Sequence, residues 1–462
     1  MRRTVSTLAA TALVAGVTAA PALANPDRNR AGGNPNSPEK LVEAIDADSL
    51  WSHMEAFYDI AMANDGHRAA ATPGYDASVD YVVDQLEGAG YDVELQEFEI
   101  FYTETLHQEL RQVSPTERDL EHTVLTYSPS GAATAELAAP SGDPLGCTAG
   151  AYGGEDLTGK IAIVSRGVCP FADKSLAAAE VGAEAVIIYN NAAGALNGTL
   201  GSPNDGYVAT VGITRDLGLD LVAQLADGPV VVDLDLEQLA EWRTTVNVLA
   251  ETRTGRDDNV VMVGAHLDGV PQGPGMNDNA SGSAAVLELA LQSAKINKVN
   301  NKLRFAFWGA EEIGLLGSIH YVSELSQAER DDIAAYINLD MVAPLDHQNT
   351  LGVLQGGFSD GAQQLLIDQL ERDNHPHGPA GNGNNSDYAP FVAAGITSTG
   401  LLSYYDSNYH TAQDDLDNVS PTSLHHSARA VASLVGTFAY DTSLINDKCS
   451  AGKSGKPHPG GC

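Results

Sequence analysis

Carboxylate and imidazole side chains stand at the ends of three apolar segments of the sequence. VVMVGAHLDG ends with His266 and Asp268, RFAFWGAEE ends with Glu311 and Glu312, and YINLDM ends with Asp340. Each apolar segment is typical of a buried strand. Because ligands bind beyond the carboxyl ends of strands in open α/β sheets, we expect these side chains to gather at one edge. Imidazole and carboxylate groups without thiolates favour zinc, or a similar divalent ion, in hydrolytic use.

Two loops add further groups of the same kind. PGMNDNASGS supplies Asp278, and NYHTAQDD supplies His410. Two adjacent carboxylates such as Glu311 and Glu312 repel each other, and burial of either is costly unless a cation pairs with it. The pattern therefore predicts that Glu312 binds a metal ion while Glu311 moves protons beside it. Two ions sharing one carboxylate would suit such a site.

The order of predicted elements indicates the fold class. Helical runs such as SAAVLELALQSA lie between the apolar strands, which predicts a mixed, mostly parallel sheet with helices on both faces. The region from 105 to 245 differs in character and supplies few candidate catalytic groups. We expect residues 38–104 and 246–447 to form one catalytic domain around this insert.

Both ends of the chain are expected to lie outside the domains. Met1, Arg2 and Arg3 precede an apolar stretch and an A-x-A sequence, which predicts a signal peptide over residues 1–24 and an extracellular protein. Residues 25–37 are predicted to form a flexible leader, and residues 448–462 a loose tail. In an oxidising compartment, clustering along the sequence favours two disulfides. The expected pairs are Cys147 with Cys169 and Cys449 with Cys462.

The composition excludes some classes of partner. The formal net charge is −36, which argues against binding to nucleic acid or to anionic membrane surfaces. After the leader, no segment is long and apolar enough to span a membrane. A monomer is the expected state.

The quoted motifs also carry a resemblance to a known family. The chain resembles the secreted dizinc leucine aminopeptidases, the co-catalytic zinc exopeptidases of the aminopeptidase Y type. The matching segments cover most of residues 60–100 and 250–435: GHRAAATPGYDASVDYV, GAHLDG, GMNDNASGSAAVLELA, WGAEEIGLLGS, NLDM, SDYAPF with AAGI, and YHTAQD. The insert is similar to a protease-associated domain through GKIAIVSRGVCPFADKSLAAAEVGAEAVIIYNN.

The resemblance implies a role for each matching residue. It implies two zinc ions per chain, one held by His266 and Asp340 and the other by Glu312 and His410, with Asp278 bridging them. Three further residues receive roles by the same resemblance: Glu311 as general base and acid, Asp268 as the carboxylate that orients the ligand histidine, and Tyr409 as a hydrogen-bond donor to the tetrahedral intermediate. Where close relatives have Ser-Asp-His, this chain has Ser386-Asp387-Tyr388, which leaves the pocket wall and the contacts to the substrate amine open.

The expected activity is removal of N-terminal amino acids from peptides or proteins with a free N-terminus. Large apolar, leucine-like first residues are the implied preference, with zinc-activated water as the nucleophile. A carboxypeptidase or dipeptidase of the same superfamily would need basic residues in its pocket, and these are sparse near the motifs. A glutaminyl cyclase or a degenerate receptor domain are further alternatives. GGFSDGA, with Ser359, also matches the G-x-S-x-G pattern of serine hydrolases.

Overall fold

The computed structural model describes residues 37–446, apart from residues 297, 356–359 and 382. The expected signal peptide, nearly all of the expected leader, and the expected tail with Cys449 and Cys462 lie outside the described residues. Ser359 lies outside them as well.

Strands and helices alternate through most of the described chain. In chain order the strands are β1 (Val93–Ser114), β2 (Arg118–Asp119), β3 (His122–Val124), β4 (Gly131–Ala138), β5 (Lys160–Ser165), β6 (Ala185–Tyr189), β7 (Ala209–Ile213), β8 (Val231–Glu251), β9 (Arg256–His266), β10 (Asn301–Trp308), β11 (Ile333–Asp340), β12 (Leu351–Leu354), β13 (His377–Ala380) and β14 (Ser398–Ser403). The helices are α1 (Pro38–Ala44), α2 (Ala47–Ala63), α3 (Pro73–Gly88), α4 (Phe171–Glu180), α5 (Arg215–Leu225), α6 (Ser281–Ser293), α7 (Leu316–Glu324), α8 (Gln327–Asp332), α9 (Asp360–Arg372), α10 (Tyr388–Ala393) and α11 (Pro421–Phe438).

The strands form one continuous sheet in the order β13-β12-β14-β11-β9-β10-β8-β4-β5-β6-β7-β3, with β1 paired to β8 and β2. The central strands β14, β11, β9 and β10 are mutually parallel, whereas β8 runs antiparallel to β10. The predicted class, a mixed and mostly parallel α/β sheet, is confirmed.

Both faces of the central strands are buried, which explains their continuous apolar sequence. On β9, Val261 and Val263 point into the larger core, which includes residues of α2, α3, α6 and α11. Met262 points to the opposite face and packs in a second core with Trp308 and Tyr336. The two cores fix β9 between helical layers, so that the residues following its last position are held firmly at the edge of the sheet.

The insert is a smaller α/β unit. Strands β4, β5, β6 and β7 are parallel neighbours, β3 closes the far edge in the antiparallel sense, and α4 and α5 contact β6. Cys147 and Cys169 form a disulfide, as the sequence predicted.

A long two-stranded ribbon connects the insert to the larger part of the fold. Strands β1 and β8 pair antiparallel from Val93 opposite Ala250 to Ser114 opposite Val231. The expected domain boundaries at 104/105 and 245/246 therefore fall within these two strands. Many of their residues are exposed, including Leu106 and Trp242, which leaves part of the ribbon in solvent.

The first helical segment differs from its sequence-based expectation. The apolar residues from about residue 38 to residue 64 have helical spacing throughout, but the structure has α1 and α2 with a break at Ile45 and Asp46. The Asp46 side chain accepts a hydrogen bond from the N–H of Ser49 at 2.9 Å and so caps α2. An aspartate that caps a new helix satisfies its first free amides, which favours a break at this point over a continuous helix.

Candidate metal centre

The three predicted strand ends meet at one edge of the sheet. His266 is the last residue of β9 and Asp340 is the last residue of β11, while Glu311 and Glu312 follow the end of β10. Because β11, β9 and β10 are adjacent and parallel, their carboxyl ends lie side by side. This arrangement brings the predicted strand-end groups into one cluster.

A tight turn aims the glutamate pair at the cluster. Gly309 has no room for a side chain, because a Cβ there would lie 2.5 Å from the hydroxyl of Tyr75 and 2.8 Å from the carbonyl oxygen of Val246. Ala310 follows with a left-handed φ of 59°. The turn reverses the chain directly after β10, which places Glu311 and Glu312 over the strand ends instead of beyond them.

Two loops complete the cluster. Asp278 lies in an irregular turn, Met276–Ala280, that leads into α6, and it is 4% exposed. His410 lies in the loop between β14 and α11, with a left-handed φ of 58°. Both loops reach the same edge of the sheet as the strand ends.

The carboxylate of Asp278 lies between the two histidines. Its Oδ1 is 3.2 Å from Nε2 of His266, and its Oδ2 is 3.2 Å from Nε2 of His410. The outer side of each histidine meets another acid: Asp340 Oδ1 is 3.4 Å from His266 Nε2, and Glu312 Oε2 is 2.9 Å from His410 Nε2. The cluster thus has two halves that share one carboxylate.

These distances fit a metal centre. Ligand atoms about 2.0–2.1 Å from a tetrahedral zinc ion lie about 3.3 Å from one another, close to the separations in both halves. Oε1 of Glu312 is buried and has no hydrogen-bond partner within the described part of the chain. A buried acceptor of this kind is costly unless a cation binds it. Two groups of potential ligands lie within 4.8 Å of one another: His266 with Glu311 and Asp340, and His266 with Asp278 and Glu312.

The pKa values of the cluster reflect the burial of several carboxyl groups close together. Burial raises the pKa of Glu312 to about 8, and the nearby Asp278 adds to this rise. Burial also raises the pKa of Glu311 well above its usual range, and Asp340, Asp387 and Glu312 raise it further. For His410, burial acts to lower the pKa, but the carboxylates of Asp278 and Glu312 beside Nε2 outweigh it and raise the value to about 10. The buried carboxylates therefore bind protons in the metal-free cluster, and bound divalent cations would balance the same negative charge.

The orientation of His266 suits a ligand. Its Nδ1 lies 3.0 Å from the main-chain carbonyl oxygen of Asp268, which can only accept a hydrogen bond. Nδ1 therefore carries the proton, and the lone pair of Nε2 faces Asp278 and Asp340.

The Asp268 carboxylate contacts the glutamate pair. It is 3.8 Å from Nδ1 of His266, while its two oxygens accept the N–H groups of Glu311 at 3.2 Å and Glu312 at 3.3 Å. The sequence-based expectation was that the carboxylate orients the histidine. In the structure the main-chain carbonyl makes that hydrogen bond, and the side chain holds the start of the Glu311–Glu312 turn.

Two buried residues near the cluster received no role from the sequence. Arg68 is fully buried and donates hydrogen bonds to the carbonyl groups of Leu267, Pro274 and Gly275. It therefore ties together both ends of the loop between His266 and Asp278. Asp414 accepts hydrogen bonds from the main-chain N–H groups of residues 277 and 278. Both lie within segments that carry the family resemblance, GHRAAATPGYDASVDYV and YHTAQD, but they act on backbone atoms, so their roles are visible only in the fold.

A cleft opens beside the cluster. It has a volume of about 340 Å³ and reaches Asp278, Glu311 and Asp340 at its base. Its walls are largely apolar and aromatic side chains with a few polar ones: Met341, Asn385, Leu402, Ser403, Tyr404, Tyr405, Asp406 and Tyr409. None of these described lining residues is an arginine or a lysine. Tyr409 is 49% exposed, and its ring stacks on His410 with centroids 3.6 Å apart.

Comparisons with known proteins identify the family. Residues 247–435 match peptidase family M28, and residues 133–221 match the PA domain. A probable lipoprotein aminopeptidase of Mycobacterium tuberculosis is 39% identical, covering 87% of this chain and 86% of its own. A probable leucine aminopeptidase 2 of Aspergillus oryzae is 35% identical, covering 88% of each chain. The chain belongs to peptidase family M28.

Solved structures of similar proteins have the same architecture. An aminopeptidase from Aneurinibacillus sp. strain AM-1 is 33% identical with a TM-score of 0.75, covering 87% of this chain and 96% of its own. A zinc aminopeptidase from Bacillus subtilis is 28% identical with a TM-score of 0.66, covering 85% of this chain and 94% of its own. The predicted peptidase fold with an inserted protease-associated domain is confirmed.

Proposed function

We propose that the chain, a zinc-dependent aminopeptidase of family M28, binds two zinc ions and removes large apolar residues from the N-terminus of peptides. The observation that carries the proposal is the Asp278 carboxylate, whose two oxygens face His266 and His410 at equal distances of 3.2 Å. Asp340 would complete one zinc site and Glu312 the other. A single-zinc enzyme such as a glutaminyl cyclase has no need for this shared carboxylate.

The reaction requires a positioned base next to the scissile bond. Zinc, when bound, supplies Lewis acidity that polarises the carbonyl group and makes water more acidic. Glu311 lines the cleft and sits beside the ligand Glu312, so its carboxylate is placed to take a proton from the attacking water. The same carboxyl group would then donate that proton to the departing amine. Tyr409, at the edge of the cleft, would donate a hydrogen bond to the developing oxyanion.

The charge of the cleft favours a free amine at the substrate end. Acidic groups lie at its base and no arginine or lysine is among its described lining residues. A carboxypeptidase or dipeptidase would have to bind a free carboxylate against this charge. The serine hydrolase alternative would use His410 as a base, but Nε2 of His410 faces Asp278 and Glu312, as a metal ligand would.

Secretion is part of the same proposal. It rests on the predicted signal peptide over residues 1–24 and on the disulfide between Cys147 and Cys169, which is typical of oxidising compartments. Within the described residues, the structure contains no helix that combines the length and apolar character needed to cross a membrane.

The side-chain preference is tested with a series of amino-acid anilides. We expect kcat/KM for leucine anilide to exceed that for alanine anilide at least about tenfold, because the extra methylene groups fill the apolar cleft. Glutamate anilide should be hydrolysed more slowly than either, because its carboxylate meets the acidic base of the cleft. Glutamate hydrolysis as fast as leucine hydrolysis would contradict the proposed preference.

A pair of variants connects this preference to the cleft. Leu402 lines the cleft, whereas Leu345 is 50% exposed and lies outside its lining. Leu402→Ala should lower kcat/KM for leucine anilide more than for alanine anilide. Leu345→Ala should leave the ratio of kcat/KM for leucine anilide to kcat/KM for alanine anilide unchanged.

A further inference from the structure

Asp414 connects the two loops that carry candidate metal ligands. It lies four residues after His410, and its side chain reaches the loop that carries Asp278. Its Oδ1 accepts the N–H of Asn277 at 2.8 Å, and its Oδ2 accepts the N–H of Asp278 at 3.0 Å. Its main-chain carbonyl accepts the N–H of Met276 at 3.0 Å. Three consecutive amides of one loop are thus bound by a single residue of the other.

Asp414 is itself held in place. It is 2% exposed, and its Oδ1 accepts a further hydrogen bond from Nδ2 of Asn418 at 2.8 Å. Asn418 also donates to Asp406, which accepts a hydrogen bond from the Asn277 side chain at 2.7 Å. The connection between the loops is therefore a closed network. A displacement of Asp414 would have to break several hydrogen bonds at once.

The hydrogen bonds of Asp414 join the two loops that carry Asp278 and His410. They reach the Asp278 loop and residues on its own loop, which carries His410. Within the described part of the chain, no hydrogen bond joins the Asp414 side chain to β9 or β11, which supply His266 and Asp340. Asp278 is shared by both halves, but only one half also takes a ligand, His410, from the loop of Asp414. Loss of Asp414 should therefore disturb the half that contains Glu312 and His410 more than the half that contains His266 and Asp340.

We propose that Asp414 is a positioning residue that fixes Asp278 and His410 relative to each other and so sets the zinc affinity of the half of the centre that contains His410. The inference rests on the proposed two-zinc function. A carboxylate that accepts two backbone amides forms charge-assisted hydrogen bonds, which are stronger than those of a neutral acceptor. Partners of this kind, one step removed from the metal, change metal affinity by about 10–100-fold when they are mutated.

The test is zinc titration of the metal-free protein in three forms: wild type, Asp414→Asn and Asp415→Asn. Asparagine keeps the shape of the side chain but replaces one oxygen with an NH₂ group, which cannot accept the amide of residue 277 or 278. Asp415 is the matched control: among the described residues, its side chain accepts a hydrogen bond from the N–H of Asp417 and makes none to the loop of Asp278. Calorimetry, or competition with a chromophoric chelator, gives the number of zinc ions and each affinity.

We expect wild type and Asp415→Asn to bind two zinc ions with similar affinities. Asp414→Asn should lose at least about tenfold in affinity for one ion, while the affinity for the other changes much less. A His410→Ala variant should lose the same binding event, which assigns it to that half of the centre. Asp414→Glu, which keeps the carboxylate, should weaken the event less than Asp414→Asn and serves as the test if the asparagine variant does not fold.

Three outcomes would overturn the inference. Asp414→Asn could bind both ions as tightly as wild type, or lose both equally, or lose the event that His410→Ala leaves intact. Wild-type protein that binds fewer than two zinc ions would instead contradict the proposed function, and the inference with it.

Discussion

Replacement of Glu311 by glutamine is expected to lower kcat for leucine anilide by roughly 10²–10⁴-fold, the usual contribution of a positioned general base. Glutamine has nearly the same shape as glutamate but cannot take the proton from the attacking water. KM should change little, because Glu311 is not expected to hold the substrate in its ground state. Steady-state kinetics measure both constants.

The zinc content separates this result from damage to the metal centre. Glu311→Gln should bind the same number of zinc ions as wild type, because Glu312 and not Glu311 is the proposed ligand. Glu324→Gln, on the exposed end of α7, is a control for the substitution itself and should be fully active. A Glu311→Gln enzyme with more than about a tenth of wild-type kcat would show that another group moves the proton.

Replacement of Asp278 by asparagine should have an effect of comparable size through a different cause. Asparagine offers one oxygen where the carboxylate offers two, and each of those two faces a different histidine. Mutation of residues one step removed from a metal costs about 10–100-fold, so loss of the shared ligand should lower activity by more than about 100-fold. Zinc content should fall from two ions to one or none.

Thermal unfolding gives an independent measure of the same change. Zinc that binds only the folded state raises the melting temperature in proportion to its binding free energy. The rise on adding zinc to metal-free protein should be smaller for Asp278→Asn than for wild type or for the neighbouring-loop control Asp415→Asn. An equal rise in all three proteins would contradict a bridging role for Asp278.

The sequence predicted the central part of the fold because its signal is strong there. Segments such as VVMVGAH are apolar at every position, which is typical of strands covered on both faces, and each ends in a polar group. Parallel strands bring such ends together whatever the details of packing. The clustering of His266, Glu312 and Asp340 therefore followed from their places at strand ends, while the turn at Gly309 and Ala310 sets the position of Glu312.

Other features could not be predicted, for identifiable reasons. The alternating pattern that indicates a strand extends over residues 91–100, so it covers the start of β1 but not the rest of the ribbon formed by β1 and β8. The separation of α1 from α2 depends on the cap at Asp46, which a helical pattern of apolar residues does not include. Arg68 and Asp414 bind main-chain atoms of loops whose paths are known only from the fold.

Asp268 illustrates the limit for individual roles. The family resemblance implied that its carboxylate orients the imidazole of His266. The backbone geometry instead turns the carbonyl group to Nδ1 and leaves the carboxylate to bind the amides of Glu311 and Glu312. The residue was found from the sequence, but the atom that makes each contact depends on the local course of the chain.

Hydrolysis of leucine anilide beside its N-acetyl analogue, before chelation, after chelation and after zinc is restored, tests the central claim most directly. We expect cleavage of the free-amine substrate only, with activity lost on chelation and recovered with zinc. The reason is that the acidic cleft binds a free amine and the cluster of histidine and carboxylate groups binds the metal. Equal cleavage of both substrates, unaffected by the chelator, would contradict a zinc aminopeptidase.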